Sequence, residues 1–279
     1  MMSAPALRAI DFNADLGESF GLWRRGADDE LMPAISSANV ACGFHGGDPG
    51  AMREAVASAK RHGVTVGAHP GLPDLLGFGR RVMDVSAGDA ADYVLYQGGA
   101  LQAFARAAGL ELHHVKPHGA LYMMALQDGR LARAIAQAIA QLGERLPVYT
   151  LAGSEMWHAA EAAGLPAVAE FFADRPLRSD GSVVMFGWQE HFDATPEAVA
   201  DRVRSLVTTG TVTSLEGDAV PIVASTICVH ADTPRAGEIG TAVRAAIEAE
   251  RVAVSADLGA NGPARPQSGV DVPGPATRE

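Results

Sequence analysis

Polar clusters recur through the chain, each just after a short run of apolar or β-branched residues. Asn13-Ala14-Asp15-Leu16-Gly17-Glu18 is the first, followed by Cys42-Gly43-Phe44-His45-Gly46-Gly47-Asp48 and His69-Pro70-Gly71. Gly79-Arg80-Arg81, Lys116-Pro117-His118-Gly119, Asp174-Arg175 and His230-Ala231-Asp232 complete the series. Carboxylates, imidazoles and a lysine gathered in this way can move protons, polarise a carbonyl or hold a cation. Asp15, flanked by Asn13 and Glu18, suits a general base or a metal ligand; a turn carboxylate beside Gly17 is the plainer alternative. His45 and His69 suit proton transfer or metal ligation. A lone histidine satisfied by backbone carbonyls is commoner, but the pair together with Asp15 favours a site.

Lys116 closes a strand that reads as buried, where an unpaired lysine is uncommon. Pro117 stiffens the turn that carries His118. Arg80 and Arg81 have forked donors suited to a carboxylate or phosphate, although a charge pair in a loop is usually just solvated. Asp48 reads first as a helix cap and second as a ligand-facing group. Asn13 and Glu18 from the first cluster and His230 from the last join the substrate-binding set. Asp11 and Asp84 read as ordinary surface or turn residues, and His62, His113, His158 and His191 have no partner pattern.

The elements that must position these groups are strands alternating with helices. Strand patterns fall at 9–13, 38–42, 64–68, 112–116, 148–151, 167–171 and 222–229. Between them, Asp48-Pro49 and Thr195-Pro196 are helix starts and Gly63 a helix stop. Leu131, Ile135, Ala138, Ile139 and Leu142 form one helical stripe, and Ile239, Val243 and Ile247 another. This rhythm predicts βα units on a parallel sheet, with the polar clusters at the carboxyl ends of the strands, where α/β folds collect their chemistry. Local sequence leaves a closed barrel and an open doubly wound sheet as alternatives. One domain over residues 1–257 is expected, and the Gly/Pro-rich stretch 258–279 reads as a disordered tail.

The 279 residues carry 22 Lys+Arg against 33 Asp+Glu, a net charge of −11 that argues against a nucleic-acid partner. No apolar run approaches the roughly 20 residues that span a bilayer, so no membrane association is expected. Two cysteines and a start without signal-peptide character point to a reducing, cytoplasmic setting. Cys42 and Cys228 read as small buried hydrophobes rather than zinc ligands. The phosphate loop GxxxxGK[ST], the dinucleotide fingerprint GxGxxG and the nucleophile elbow GxSxG are all missing.

The longer motifs carry a resemblance. IDFNADLGESFG at 10–21, SANVACGFHGGDP at 37–49, VGAHPGLPDLLGFGRRVM at 66–83, VKPHGALY at 115–122, EFFADR at 170–175 and ICVHADTP at 227–234 resemble the LamB/YcsF family. The resemblance implies a seven-stranded parallel β/α barrel similar to carbohydrate deacetylases. It also implies the A component of an ATP-dependent 5-oxoprolinase, working with partner subunits B and C. Such a complex opens the lactam of 5-oxo-L-proline to L-glutamate, with ATP as co-substrate hydrolysed to ADP and phosphate.

On that footing Asp15 activates or orients water, while His45, His69 and His118 surround the reacting carbonyl. Lys116 faces developing negative charge, and Arg80 or Arg175 holds the substrate carboxylate or phosphate. A divalent metal on Asp15, His45 and His69 is compatible with the set but not required by it. A stand-alone metal-dependent amidase or deacetylase, or a non-catalytic ligand-binding subunit, are the competing readings. The chain departs from the family's pattern at Pro176-Leu177, Met185–Gly187 and Ala231. These positions read as remote from the Asp15–His118 half, and bear on substrate identity and partner contacts.

Overall fold

The computed structural model describes residues 7–257; the tail expected at 258–279 lies outside them. The strands are β1 (Ala9–Leu16), β2 (Ser37–Ala41), β3 (Thr65–His69), β4 (Leu112–Val115), β5 (Val148–Thr150), β6 (Ala167–Phe172), β7 (Thr211–Thr213), β8 (Ala219–Pro221), β9 (Thr226–His230) and β10 (Ala253–Val254). The α-helices are α1 (Asp28–Leu31), α2 (Pro49–His62), α3 (Ala87–Ala107), α4 (Gly119–Ala125), α5 (Gly129–Leu142), α6 (Glu155–Ala162), α7 (Pro196–Thr209) and α8 (Ala236–Ala249).

Strands β1-β2-β3-β4-β5-β6-β9 pair in parallel, and β9 returns to β1. The sheet is therefore a closed seven-stranded barrel rather than the open alternative. The short β10 adds to the start of β1, and β7 with β8 forms a separate antiparallel hairpin. That hairpin corrects the last strand pattern: residues 222–225 link it to the barrel, and β9 begins at Thr226.

The expected helix signals are realised. Asp48 caps α2 through the Gly50 and Ala51 N–H groups, and Gly63 ends that helix in the left-handed conformation at φ 69°. The stripe on α5 is buried from Leu131 to Leu142, as are Ile239, Val243 and Ile247 on α8.

Alternation along each strand divides the molecule into two environments. Outward residues such as Phe12, Ala14, Val40, Val66, Phe171, Ile227 and Val229 join the helices in the apolar core. The barrel interior is polar, unlike the branched aliphatic filling usual for such barrels. Asp11, expected at the surface or in a turn, is fully buried in its lowest layer. Asp11 Oδ1 accepts from Ser36 and Ser37 at 2.7 Å each, and Oδ2 from Thr226 at 2.6 Å.

Above that layer, Asn39 Nδ2 donates to Asn13 Oδ1 at 2.7 Å and to Asp15 Oδ1 at 2.8 Å. Nε2 of His114 lies 2.7 Å from Asn39 Oδ1, and its ring stacks on Tyr149. An unpartnered amide or carboxylate at this depth would cost several kcal/mol, so the interior is built as a connected network. Asn13 belongs to this supporting layer, donating to Thr226 and Glu170, rather than to the substrate-facing set.

Candidate active site

The top of this network opens into a small cavity at the carboxyl ends of the strands. The barrel register brings three of its walls together, since Asp15 lies opposite Asn39 of β2 on one side and opposite His230 of β9 on the other. Lys116 follows β4 and enters between them: its Nζ is 2.9 Å from Asp15 Oδ1, 2.8 Å from Glu170 Oε1 and 3.0 Å from Cys228 Sγ. All four side chains are buried. Cys228 is thus a buried residue, as expected, but with a polar contact that its reading as a plain hydrophobe left out. Cys42 is likewise buried, its thiol donating to the Val40 carbonyl at 3.1 Å and pushed up to about 12 by burial.

The charges hold one another in place. Burial pushes the Asp15 carboxyl up, yet His69, Lys116 and His230 outweigh it and keep the group well below the ordinary carboxylate range. Burial likewise disfavours the Lys116 ammonium, but Asp15, Cys228 and Glu170 raise it well above the usual lysine value. Glu18 goes the other way, raised by burial and then by Asp15 and Asp232. The site therefore keeps one carboxyl ionised and a second prone to protonation within a single cluster.

The histidines converge from different loops. His69 directs Nδ1 to the Lys116 carbonyl at 2.7 Å and Nε2 to Asp15 Oδ2 at 3.3 Å. His118 Nδ1 is 2.9 Å from His69 Nε2, and His118 Nε2 is 2.8 Å from the Phe78 carbonyl. His45 stacks on His118 with ring centroids 3.7 Å apart. The backbone permits this crowding at Gly71 and Gly79, where a Cβ would collide with the His45 side chain and, at Gly79, with His118 as well. His230 adds its Nε2 at 3.8 Å from Asp15 Oδ2.

Asp15, His69, Lys116, His118, Arg80 and His230 line the cavity, with Tyr122, Phe172, Met185 and Phe186 as its less polar wall. The space in it open to water is about 20 Å³, room for roughly one water molecule. Arg80 reaches its mouth and pairs with Asp232 at 2.7 Å.

Two further residues of the expected binding set serve other ends. Both Asp48 oxygens are taken by backbone N–H groups of Gly21, Gly50 and Ala51, so Asp48 is a cap outside the cavity. Arg175 is buried against Asp174 and Thr233 and over the Trp188 ring, bracing Asp174 rather than facing a ligand. One departure of the later strands is not remote: Met185 and Phe186 stand in the cavity wall with Lys116 and His118.

The metal-ligating geometry also differs from the expected trio. Glu18, His45, His69 and His118 each bring one ligand atom within 4.8 Å of the others, and Asp15 groups instead with Cys228 and His230.

The sequence pattern of the LamB/YcsF family matches residues 10–260. The chain belongs to the LamB/YcsF family. As a LamB/YcsF protein it is 49% identical over 238 residues to the A component of the 5-oxoprolinase of Tolumonas auensis, covering 85% of this chain and 95% of the relative. The corresponding 5-oxoprolinase component of Heliobacterium modesticaldum is 47% identical over 247 residues, covering 88% and 97%. Among solved structures, the lactam utilization protein from Thermus thermophilus superposes with a TM-score of 0.84 at 48% identity, covering 89% of this chain and 99% of that one. The family's barrel is thus the fold found here.

Sequence reasoning missed Asn39, His114, Glu170 and Tyr122 as parts of the site, and placed Asp174 in a cluster without a role. Glu170 and Asn39 fall within strand patterns, where a polar residue between apolar ones reads as the solvent face of a sheet. Closure of the barrel turns that face inward, and the signal available was the regular recurrence of such residues on successive strands. No helix among the described residues is long and apolar enough to cross a membrane.

Proposed function

We propose that this protein is the A component of an ATP-dependent 5-oxoprolinase and opens the lactam of 5-oxo-L-proline to L-glutamate with subunits B and C. The observation that carries the reading is the convergence of Asp15, His69, Lys116 and His230 beside a water-sized cavity, in a chain whose relatives, matched over nearly their whole length, carry that name. An unstrained lactam is a poor electrophile. Transfer of the γ-phosphoryl group of ATP to its carbonyl oxygen makes the ring carbon attackable and supplies a leaving group. The sequence lacks a GxxxxGK[ST] loop, which fits a division of labour in which the partners handle ATP. In net terms 5-oxoproline, ATP and two waters yield glutamate, ADP and phosphate.

The geometry supports the following roles. Water sits in the cavity against Asp15, whose carboxylate orients it. His230, held at Nδ1 by Asp174 at 2.9 Å, takes its proton at Nε2 as the water oxygen bonds to the activated carbon. The ring C–N bond then breaks as the nitrogen takes the proton held by His230, and the second water displaces phosphate from the resulting acyl phosphate. Lys116 counters the negative charge that develops at the former carbonyl. Arg80 holds the substrate carboxylate or the phosphate at the mouth, and Phe172, Met185 and Phe186 pack the apolar edge of the ring. Partner subunits and a cytoplasmic setting belong to the same reading.

The test is 5-oxoproline-dependent ATP hydrolysis and glutamate release by the purified chain, with and without B- and C-type subunits. Turnover that requires all three supports the reading. Lactam hydrolysis by this chain alone without ATP, or binding of 5-oxoproline with no turnover in the full mixture, overturns it.

A further inference from the structure

We propose that Glu18, His45, His69 and His118 form a binding site for one divalent transition-metal ion of borderline softness, zinc in the first instance. The site deepens the reading above, since it borders the reacting cavity, but it rests on separate observations.

The first is the direction of the ring nitrogens. A backbone carbonyl accepts only from N–H, so His69 Nδ1 facing the Lys116 carbonyl and His118 Nε2 facing the Phe78 carbonyl must both be protonated. In the neutral rings, the remaining nitrogens, His69 Nε2 and His118 Nδ1, then point lone pairs at each other across 2.9 Å. A shared proton or a bound cation has to lie between or beside them, and metal titration separates the two. Ring N–H groups anchored on backbone carbonyls, with the opposite nitrogens convergent, are the arrangement found behind metal-ligating histidines.

The second observation is His45. It is fully buried, and neither of its ring nitrogens has a hydrogen-bond partner. Two unpaired nitrogens at that depth are costly. One of them, Nε2, lies 3.9 Å from Glu18 Oε1, the same separation that His118 Nδ1 has from that oxygen.

The third is spacing. Around a cation with bonds of about 2.05 Å, tetrahedral ligands lie about 3.3 Å apart. The separations of 2.9, 3.9 and 3.9 Å bracket that edge. His45 has to tilt out of its parallel stack on His118 to complete the set. The His45 ring is seated against Gly71, in space that any larger residue there would take.

Three imidazoles and one carboxylate suit zinc and its neighbours rather than magnesium or calcium, which prefer oxygen ligands. The other group, Asp15 with Cys228 and His230, is the poorer candidate. Lys116 already engages Asp15 and Cys228, and Asp174 engages His230 Nδ1.

The full chain, stripped by a chelator and dialysed, is titrated with Zn²⁺ and separately with Co²⁺, with metal content read by mass spectrometry. The expected result is one equivalent per chain and the intense visible bands of four-coordinate cobalt. His69→Ala and His118→Ala, checked for folding by circular dichroism, should lose that equivalent, and Glu18→Gln should alter the cobalt bands. Where the histidine variants fail to fold, the comparison of wild type with Glu18→Gln decides. Absence of a stoichiometric equivalent in the wild type, or cobalt bands indifferent to Glu18→Gln, overturns the site. Metal binding without 5-oxoproline turnover in the three-subunit mixture would count against the function alone, and turnover by a chain that takes up no metal against the site alone.

Discussion

Asp174 Oδ1 lies 2.9 Å from His230 Nδ1, while Asp174 Oδ2 accepts from the His230 backbone N–H at 3.0 Å. One buried carboxylate thus fixes both the ring and the main chain of the residue that faces Asp15. Burial opposes the charge on Asp174, but Arg175, His230 and Thr233 hold its carboxyl far below the usual range. The ionised carboxylate sets the His230 tautomer and leaves Nε2 free for the cavity.

Asp174→Asn preserves the shape but can offer an amide N–H where the histidine needs an acceptor. The expected outcome is a kcat lower by about 10²–10⁴-fold with KM little changed. Steady-state kinetics of the three-subunit mixture, with the variant in place of the native chain, check it.

Lys116 supplies the countercharge for Asp15 and Glu170 together. Lys116→Met fills the space and leaves two carboxylates buried without it. Breaking a buried pair in this way costs about 3–5 kcal/mol, so the urea midpoint should fall steeply. Lys116→Arg should not restore it, because a planar fork cannot occupy a point set among three partners.

Two groups of acids give opposite pH responses. Asp15 and Asp174 are lowered in the folded state. Their stabilisation is therefore present above the unfolded value of about 3.9 and lost as pH falls through the folded values. Asp28 is raised to about 6 by burial, partly offset by the Gly17 N–H and reinforced by Asp29. Its contribution is full below about pH 4 and lost as pH rises through about 6. Asp28→Asn should flatten stability between pH 4 and 6 and leave the loss below pH 4 intact, with urea unfolding across the pH series as the measurement.

Gly67 is fitted to the His114 ring: a Cβ there would fall inside the imidazole. Gly67→Ala should therefore destabilise the barrel by overpacking, by about 1–3 kcal/mol or more. Thermal unfolding followed by circular dichroism reads the loss. Activity should fall with it, since Asn39 bridges His114 to Asp15.

The rhythm of strands and helices, the caps at Asp48 and Thr195 and the buried stripes are legible in the sequence because they depend on neighbours within a few residues. The clusters after β1, β2, β3, β4 and β9 are legible for the same reason, and Asp15, His69, Lys116, His118 and His230 do meet. Asp48 and Arg175 are misleading because a cap and a buried brace use the same side chains as a binding site. Asp11 is misleading because an isolated carboxylate near a strand end reads as solvated until its partners, Ser37 and Thr226, are brought to it from 26 and 215 residues away.

The order of elements, the family and the residue types of the chemistry are thus properties of the chain alone. Whether the sheet closed, and which carboxylate received which cation, depended on contacts between strands far apart in sequence. Pairing of β9 with β1 turned a face that local pattern marks as exposed into a buried, polar interior. In that interior a charge is stable only beside its partner, so the barrel's register, rather than sequence spacing, set Asp15 against Lys116, His69 and His230.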